Sequence, residues 1–567
     1  MTAVTASGEA APPKSRMRLS VFKDRRFLAM LLLGIASGLP YAVITGTLSA
    51  WLTSEQISVA TIGVLSWSGL AYSFKFLWAP VLHQAAFPVL KRLGMRRSMF
   101  VPLQFLIGAC LSGFALLNPQ TGLSLIAALA VVGAALSATF DIVVDTWRIE
   151  TAEDPGELDA LTAHYQFGYR AAAFVGGAGA LILSDLLGGW SLTLGILGLV
   201  MLCTIAGALI APEPVRRESR EEAEAKEASD TDLYPQGARN LVVAMVLVGW
   251  GWSFWTLGAF MIEALGSPET AKPGPFTLSK GPLIVAATVL TPALGGLWLM
   301  KLVSRAAHKT IGPTLPSRVQ RASDRMFGAV VLPMMELIGR MGWATVSALL
   351  LILTYRFADS IWGSFAYPFY MGSTGGALGH TATEVALASK MIGVAAVIAG
   401  IVAGGVLVRL MGRMPALVLA AVLAAATNLL FADLARGAPS MDAFLGLTRL
   451  DDLYAVTGLD LRMARLTTAI MGENLAVGFA SVVYVAYLSS IVNPRFAAVQ
   501  YALLGSLTML IGQLGRPAVG AMIEVEGFAS VFVLTALLGL VPVGLSMFEW
   551  LRQSPETRSS GLDTQES

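Results

Sequence analysis

Fourteen predominantly apolar stretches, each about 20 residues long, constrain the fold of this chain more than any other feature. A helix of that length crosses the roughly 30 Å hydrocarbon core of a bilayer. Because lipid offers no hydrogen bonds, each spanning segment must satisfy its own backbone groups, and a helix does so. The sequence therefore predicts an all-α polytopic membrane protein. We predict about 14 spanning helices, near residues 27–51, 59–81, 98–117, 123–147, 164–187, 190–211, 241–264, 282–303, 342–370, 382–409, 414–434, 465–491, 495–523 and 527–551.

The predicted helices fall into groups of six, two and six, which indicates an internal repeat. Repeats related by an axis along the membrane normal build the two halves of one common class of transporter. We therefore predict two six-helix bundles with a cavity between them and an inserted helix pair. In chain order, the predicted parts are a cytoplasmic tail (1–26), the first bundle (27–211), a cytoplasmic linker (212–240), a two-helix hairpin (241–303), a basic cytoplasmic linker with an amphipathic surface helix (304–341), the second bundle (342–551) with a periplasmic insertion (436–465), and a cytoplasmic tail (552–567).

Charged residues are few and are clustered between the apolar stretches. They make up 13% of the chain against 55% hydrophobic residues, and the net charge of +2 gives no basis for a nucleic-acid partner. Basic residues concentrate in alternate short loops, for example at Arg97, Arg413 and Arg495. By the positive-inside rule, these loops and both termini are predicted to be cytoplasmic.

Two carboxylates lie inside the fourth predicted helix. Asp141 and Asp145 are four residues apart and share one helix face, and Arg148 follows on the same side. A charge at the centre of a spanning helix costs roughly 2.5 to 3.5 kcal/mol. We interpret the pair as a proton- or ion-titrating site that faces a polar cavity. A structural ion pair with a neighbouring helix and a position at the water interface remain as alternatives.

Further ionisable residues lie inside predicted helices of both halves. They are Lys75, Arg170, Asp185, Arg356, Asp359, Lys390, Glu473 and Arg516. Cations without an acid on the same helix face suit a substrate that carries carboxylates or phosphates. Arg356 and Asp359 are three residues apart, so mutual neutralisation is the alternative for that pair. Because carboxyl groups inside membrane proteins commonly relay protons, we predict as proton carriers Asp141, Asp145, Asp359 and Glu473.

The predicted substrate contacts combine cations with aromatic rings. We predict binding by Lys75, Arg170, Arg356, Lys390, Tyr72, Trp147 and Tyr169. The rings are suited to stacking on sugars, although Trp and Tyr also form belts at membrane surfaces.

The Asp-x-x-x-Asp spacing also occurs in intramembrane prenyltransferases, which hold magnesium pyrophosphate between two acidic motifs. No second such motif lies in a predicted spanning helix, because Asp451 and Asp452 fall in an outer loop. The four His residues form no metal-binding pattern. We therefore expect a transporter, not an enzyme, without a metal or a cofactor.

Several motifs together resemble those of the AmpG-type muropeptide permeases of the major facilitator superfamily. They are Gly34-Ile35-Ala36-Ser37-Gly38-Leu39-Pro40, Phe74-Lys75-Phe76-Leu77-Trp78-Ala79-Pro80, Asp141-Ile142-Val143-Val144-Asp145-Thr146-Trp147-Arg148, Gly168-Tyr169-Arg170, Ala211-Pro212-Glu213-Pro214, Tyr355-Arg356-Phe357-Ala358-Asp359, Glu473-Asn474 and Gln500-Tyr501-Ala502-Leu503-Leu504. The matched Glu473-Asn474 pair adds Asn474 to the predicted binding residues.

The resemblance implies a major facilitator fold and proton-coupled import of GlcNAc-1,6-anhydromuramyl peptides. The cargo would cross the inner membrane of a Gram-negative bacterium, from periplasm to cytoplasm, for cell-wall recycling and, in some species, β-lactamase induction. The proton gradient would supply the energy, and we expect a monomer in the lipid bilayer. A related branch resembles acetyl-CoA carriers, so another bulky anionic solute is the alternative cargo.

The sequence departs from the family pattern in three places. His83-Gln84 stands where relatives usually have an Asp, the helix pair lies between the halves, and the insertion 436–465 is long. None of these departures touches the matched motifs in the predicted spanning helices.

Overall fold

The structure is a computed structural model that describes residues 24–75, 78, 92, 94–214, 233–267, 271–303, 317–493 and 497–562. Within these ranges every regular element is a helix, which confirms the predicted all-α class. Most of the predicted N-terminal tail, the loop with His83, the central parts of both cytoplasmic linkers, Arg495 and the last five residues lie outside the described residues.

The first half contains six helices. They are α1 (Arg25–Ser54), α2 (Val59–Phe74), α3 (Arg97–Phe114), α4 (Pro119–Thr151), α5 (Gly156–Leu186) and α6 (Trp190–Ile210). Polar residues cap several of them at the N terminus. Asn118 accepts a hydrogen bond from the backbone of Gln120 at the start of α4, and Asp154 accepts one from Glu157 at the start of α5. Such caps satisfy backbone donors that a helix end leaves free.

The inserted segment and the second half follow in the predicted order. Their helices are α7 (Gln236–Gly266), α8 (Pro273–Leu302), α9 (317–341), α10 (Ala344–Met371), α11 (Ala382–Met411), α12 (Arg413–Leu434), α13 (Pro439–Thr448), α14 (Leu450–Val456), α15 (Leu461–Ile491), α16 (497–526) and α17 (528–562). The chain turns sharply between α16 and α17 at Gly527, whose φ of +80° favours glycine.

Twelve helices in the described ranges are long and apolar enough to cross a membrane, so the predicted count of 14 is not confirmed. The difference arises at two places. The described part of α2 is shorter than a full span, and the stretch Leu503–Gln553, which is one of the twelve, contains both α16 and α17 on either side of the kink at Gly527.

Glycine residues allow close helix packing within each half. Gly38 of α1 lies against the backbone of Tyr169 in α5, and Gly400 of α11 lies against the backbone of Leu475 in α15. A Cβ atom at either glycine would collide with a carbonyl oxygen of the neighbouring helix. Small residues serve this purpose in membranes, where lipid removes the hydrophobic driving force between helices. These contacts fix the helices that carry the candidate site.

The inserted hairpin packs where the two halves meet. The rings of Phe260 in α7 and Phe276 in α8 stack with centroids 4.0 Å apart, and each lies 5.8 Å from Trp67 of α2. The first part of α8 also packs along α16. A separate apolar core around Trp250 and Phe327 joins α7 and α8 to the amphipathic helix α9. The hairpin therefore contacts both halves, with α2 and α4 as its neighbours in the first half.

The outer insertion forms the two short helices α13 and α14. It is tied to the start of α15 by Arg465, which donates hydrogen bonds of 2.6 and 2.5 Å to the carboxylate of Asp442.

Candidate functional site

The two halves are joined at the end of the bundle where α1 ends and α2 begins, here called the outer end. Thr383 of α11 donates to Asp185 of α5 from its backbone nitrogen at 2.9 Å and from its hydroxyl at 2.7 Å. The backbone nitrogen of Ala60 in α2 donates to Glu524 of α16 at 2.9 Å. These bonds hold the two halves together at the outer end.

The first cluster consists of Lys75, Asp141, Asp145 and Arg148. Lys75 Nζ lies 3.5 Å from Asp141 Oδ2, so this ion pair joins the end of α2 to α4. Asp145 Oδ1 instead pairs with Arg148 Nη2 at 3.0 Å, within one face of α4. The Lys75 side chain is 32% exposed and that of Asp141 only 10%. The ammonium group is therefore the member of this pair that a solute can reach.

Four tyrosines surround the first cluster. Tyr41 packs edge-on against Tyr72 with ring centroids 5.0 Å apart, and Tyr165 lies 6.0 Å from Tyr169. The guanidinium of Arg148 lies 5.3 Å from the centre of the Tyr165 ring, a cation–π contact. The predicted residues Tyr72 and Tyr169 are thus placed beside Asp141, in a group of rings that offers both apolar faces and hydroxyls.

One predicted binding residue lies elsewhere. Trp147 is fully buried, and its indole nitrogen donates to the carbonyl of Pro212 at 2.8 Å. Next to it, Glu213 accepts hydrogen bonds from the backbone nitrogens of Arg96 and Arg97, and Arg96 pairs with Glu150 at 2.6 Å. In this conformation Trp147 belongs to a group of hydrogen bonds that connects the end of α4 to the residues after α6.

The second cluster consists of Arg356, Asp359, Lys390, Glu473 and Asn474. Arg356 lies at a kink of α10 and pairs with Asp359 at 3.2 Å, which is the alternative that their spacing left open. Glu473 of α15 is in electrostatic range of Arg356, Asp359 and Lys390, and accepts a hydrogen bond from Asn474 at 3.1 Å. Among the described residues, neither Glu473 nor Lys390 has an ion pair within 4.0 Å.

Lys390 brings the second cluster to the first half. It lies in a π-helical segment, Ala386–Ile392, and its Cε is 3.2 Å from the point where a Cβ on Gly177 would be. Gly177 belongs to a matching π-helical segment of α5, Val175–Gly179. The Lys390 ammonium lies 5.7 Å from the ring centre of Tyr367. Wide helical turns of this kind are frequent at functional sites, because they change the direction of side chains.

Three other predicted charges lie outside the clusters. The side chain of Arg170 is exposed and forms no ion pair with another described residue. Asp185 belongs to the contact at the outer end. Arg516 is buried in α16 and donates to the carbonyl of Ser360. The described part of the chain contains no group of three or more His, Cys, Asp or Glu that is placed to hold a metal ion.

Sequence reasoning did not select Ser37, Tyr41 or Tyr165. The Ser37 hydroxyl lies beside the Asp141 carboxyl group, and the two tyrosines complete the ring group. One signal was available: Tyr165 and Tyr169 are four residues apart and share a face of α5. Ser37 stands in the motif Gly34 to Pro40, but its residue type did not distinguish it, because serine is common in packed membrane helices.

Known proteins resemble this chain in both sequence and structure. The family model described as Acetyl-coenzyme A transporter 1 matches residues 26–121. The chain is 27% identical to the Anhydromuropeptide permease of Escherichia coli (strain K12) over 544 residues, which cover 96% of this chain and 83% of the relative. It is 24% identical to Putative transporter AmpG 4 of Rickettsia felis over 529 residues, which cover 93% of this chain and 97% of the relative.

Solved structures share the fold at low sequence identity. An auto-inhibited POT family peptide transporter matches with a TM-score of 0.59 and 11% identity, over 93% of this chain and 97% of its own. A nucleoside transporter matches with a TM-score of 0.51 and 11% identity, over 92% and 98%. These likenesses agree with the predicted transporter fold, and the curated relatives confirm the resemblance to the AmpG-type permeases. The chain is a multi-pass membrane transporter of a small molecule, not an enzyme.

Proposed function

We propose that this chain imports GlcNAc-1,6-anhydromuramyl peptides from periplasm to cytoplasm, driven by the proton gradient. The observation that carries the proposal is the similarity to a protein named Anhydromuropeptide permease over 544 of the 567 residues, a range that necessarily includes both clusters. The protein works as a monomer in a bacterial inner membrane, with both termini in the cytoplasm and without a bound cofactor.

The Lys75–Asp141 pair supports a direct link between proton and cargo. A proton on Asp141 removes the charge that holds Lys75, and the ammonium group is then free to pair with a carboxylate of the stem peptide. Conversely, a cargo carboxylate at Lys75 leaves Asp141 free to accept a proton. Binding of the proton therefore favours binding of the cargo, and binding of the cargo favours binding of the proton. This reciprocal coupling makes the proton and the cargo cross the membrane together.

The second cluster provides the other contacts to an elongated cargo. Arg356, Lys390 and Asn474 offer hydrogen-bond donors, and the nearby Tyr367 offers a ring face. The cargo would thus bridge the halves, and the closed outer end fits alternating access, in which the halves rock around a central site.

A carrier of acetyl-CoA or a similar anion is the second candidate. The match of residues 26–121 to the Acetyl-coenzyme A transporter 1 family favours it. Both cargoes are bulky and anionic, so the cations alone do not distinguish them.

Uptake into proteoliposomes tests the proposal. Purified protein is assayed with labelled GlcNAc-anhydromuramyl tripeptide, with and without an inward proton gradient, and with unlabelled acetyl-CoA as competitor. We expect gradient-dependent accumulation that excess acetyl-CoA leaves unchanged. Asp452→Asn, which alters an exposed carboxylate of α14, serves as the matched control and retains full uptake. No uptake by folded protein, together with uptake of labelled acetyl-CoA, would replace the first candidate by the second.

A further inference from the structure

Arg516 is a buried cation without a counter-charge. It is 9% exposed, and its Nε donates to the carbonyl of Ser360 at 2.7 Å. Among the described residues, no carboxylate lies within 4.0 Å of its guanidinium. Removing a cation from water is costly unless other groups compensate its charge. One carbonyl dipole compensates only part of that charge.

Arg516 borders a small cavity between the halves. Four hydroxyl-bearing residues also line it, Thr45, Ser49, Ser66 and Ser364, and aliphatic residues complete the lining, namely Ile44, Leu48, Leu52, Ile62 and Leu65. Thr45, Ser49 and Ser66 come from α1 and α2 of the first half, whereas Ser364 and Arg516 come from α10 and α16 of the second. The cavity has room for about one water-sized particle. A muropeptide, a nucleotide or a phosphate ion is too large for it.

The hydroxyls are able to turn toward a negative ion. Ser66 now donates to the carbonyl of Gly63 at 2.6 Å, and Ser49 donates to that of Ser364 at 2.8 Å. A hydroxyl hydrogen rotates to suit its partner, so each group can donate into the cavity instead. The guanidinium supplies further donors in a fixed planar arrangement.

We propose that this cavity binds a small monoatomic anion of the chloride type, and that it does so when the outer end is closed. The size of the cavity restricts the ligand to an ion of this kind, and the uncompensated guanidinium sets its sign. Because both halves line the site, the bound ion stabilises the conformation in which they meet. Opening of the outer end separates Arg516 from Ser49 and Ser66 and releases the ion.

Thermal unfolding of the purified full-length protein tests this site without any cargo, so its failure is separate from that of the transport proposal. Tm is measured in sodium chloride and in sodium gluconate at equal ionic strength, across a chloride titration. We expect a saturable rise in Tm with chloride, because a ligand that binds only the folded state stabilises it. Equal Tm values in the two salts would overturn the proposal.

Two variants locate the effect. Arg516→Gln should lose the chloride-dependent rise, whereas Arg340→Gln, which removes a guanidinium far from the cavity, should keep it. If Arg516→Gln does not fold, Ser66→Leu decides the question, since it keeps the charge and fills the cavity. A chloride response that persists in a folded Arg516→Gln or Ser66→Leu protein places the ion elsewhere and contradicts the proposal.

Discussion

The two charged clusters differ in how their ion pairs are built. In the first cluster, Lys75 at the end of α2 pairs with Asp141 on α4, so the pair connects two helices. In the second, Arg356 and Asp359 pair within α10, and Glu473 has no ion pair within 4.0 Å in the described part of the chain.

Because of this difference, the two clusters respond differently to helix movement and to protonation. An ion pair between helices depends on their separation, and therefore on conformation and on the proton that competes for it. A pair three residues apart in one segment, here across the kink of α10, depends less on the distance between helices. We infer that the first cluster couples proton binding to motion, whereas the second mainly binds cargo.

Asp141→Asn should have the largest effect. The amide keeps the shape of the side chain but neither binds the proton nor holds Lys75 by charge. We expect gradient-driven accumulation in proteoliposomes to fall at least about tenfold, a change equivalent to only ~1.4 kcal/mol. Asp359→Asn, the matched change in the second cluster, should retain accumulation with weaker cargo affinity. Full accumulation by Asp141→Asn would remove that residue from the coupling role.

Lys75→Ala should have the next largest effect, on cargo affinity. Its ammonium group is the accessible partner in the first cluster, so its loss removes a charge-assisted contact to the cargo. We expect Kd from isothermal titration calorimetry to rise about tenfold, whereas the free energy of unfolding falls by only about 1 kcal/mol, by comparison with Lys280→Ala in the hairpin. An unchanged Kd would make Lys75 a structural residue.

Double-mutant cycles compare the two ion pairs directly. For Lys75→Ala with Asp141→Asn we expect a coupling energy in unfolding of at least about 1 kcal/mol, because the pair is partly buried and each single change leaves one charge unpaired. For Arg356→Ala with Asp359→Asn we expect about 0.3 to 0.5 kcal/mol, the usual value for neighbours on one helix. Equal coupling energies would erase the distinction between the clusters.

Much of the fold was predictable, because length and apolar character identify spanning helices. The helices and their order follow the apolar stretches, and glycines such as Gly38 and Gly400 lie at close helix contacts. The number of spans was harder to predict. The turn at Gly527 separates α16 from α17 inside one long apolar stretch, Leu503–Gln553, and this turn depends on the backbone conformation of a single residue.

The sequence predicted which charged residues belong to the candidate sites, but it predicted only some of the pairs that these residues form. The intrahelical pair Arg356–Asp359 followed from its spacing, since three residues on a helix fix the geometry. The partner of Asp141 is Lys75, 66 positions away in the chain, and that pairing depends on how α2 packs on α4. Trp147 matched a family motif, yet its position between α4 and α6 depends on the backbone at Pro212. Contacts between helices are set by tertiary packing, which local spacing does not report.

A carboxylate outside both clusters gives a reference for complete pairing. Glu336 of α9 accepts hydrogen bonds from Arg340 at 2.8 Å, from Asn493 at 2.7 Å and from Gln500 at 2.5 Å. Burial opposes ionisation of this group, but the three hydrogen bonds outweigh it and hold the pKa of Glu336 below its ordinary value of 4.5. Unlike Glu473, Glu336 has a purely structural role, because its hydrogen bonds hold the amphipathic helix α9 against α16.

The smallest expected effect is the pH dependence of that contact. A carboxyl group whose pKa is lower in the folded than in the unfolded protein adds stability at pH values above 4.5, and loses this contribution as the pH falls through the folded value. We expect Tm of the native chain to exceed that of Glu336→Gln by a constant amount near neutral pH, and the gap to close as the pH falls below 4.5. A gap that stayed constant down to the lowest pH at which the protein remains folded would show that hydrogen bonding independent of charge holds α9 in place. In that case Glu336 could not serve as an example of an ionised, fully hydrogen-bonded carboxylate. The contrast between Glu336 and Glu473 would then no longer hold.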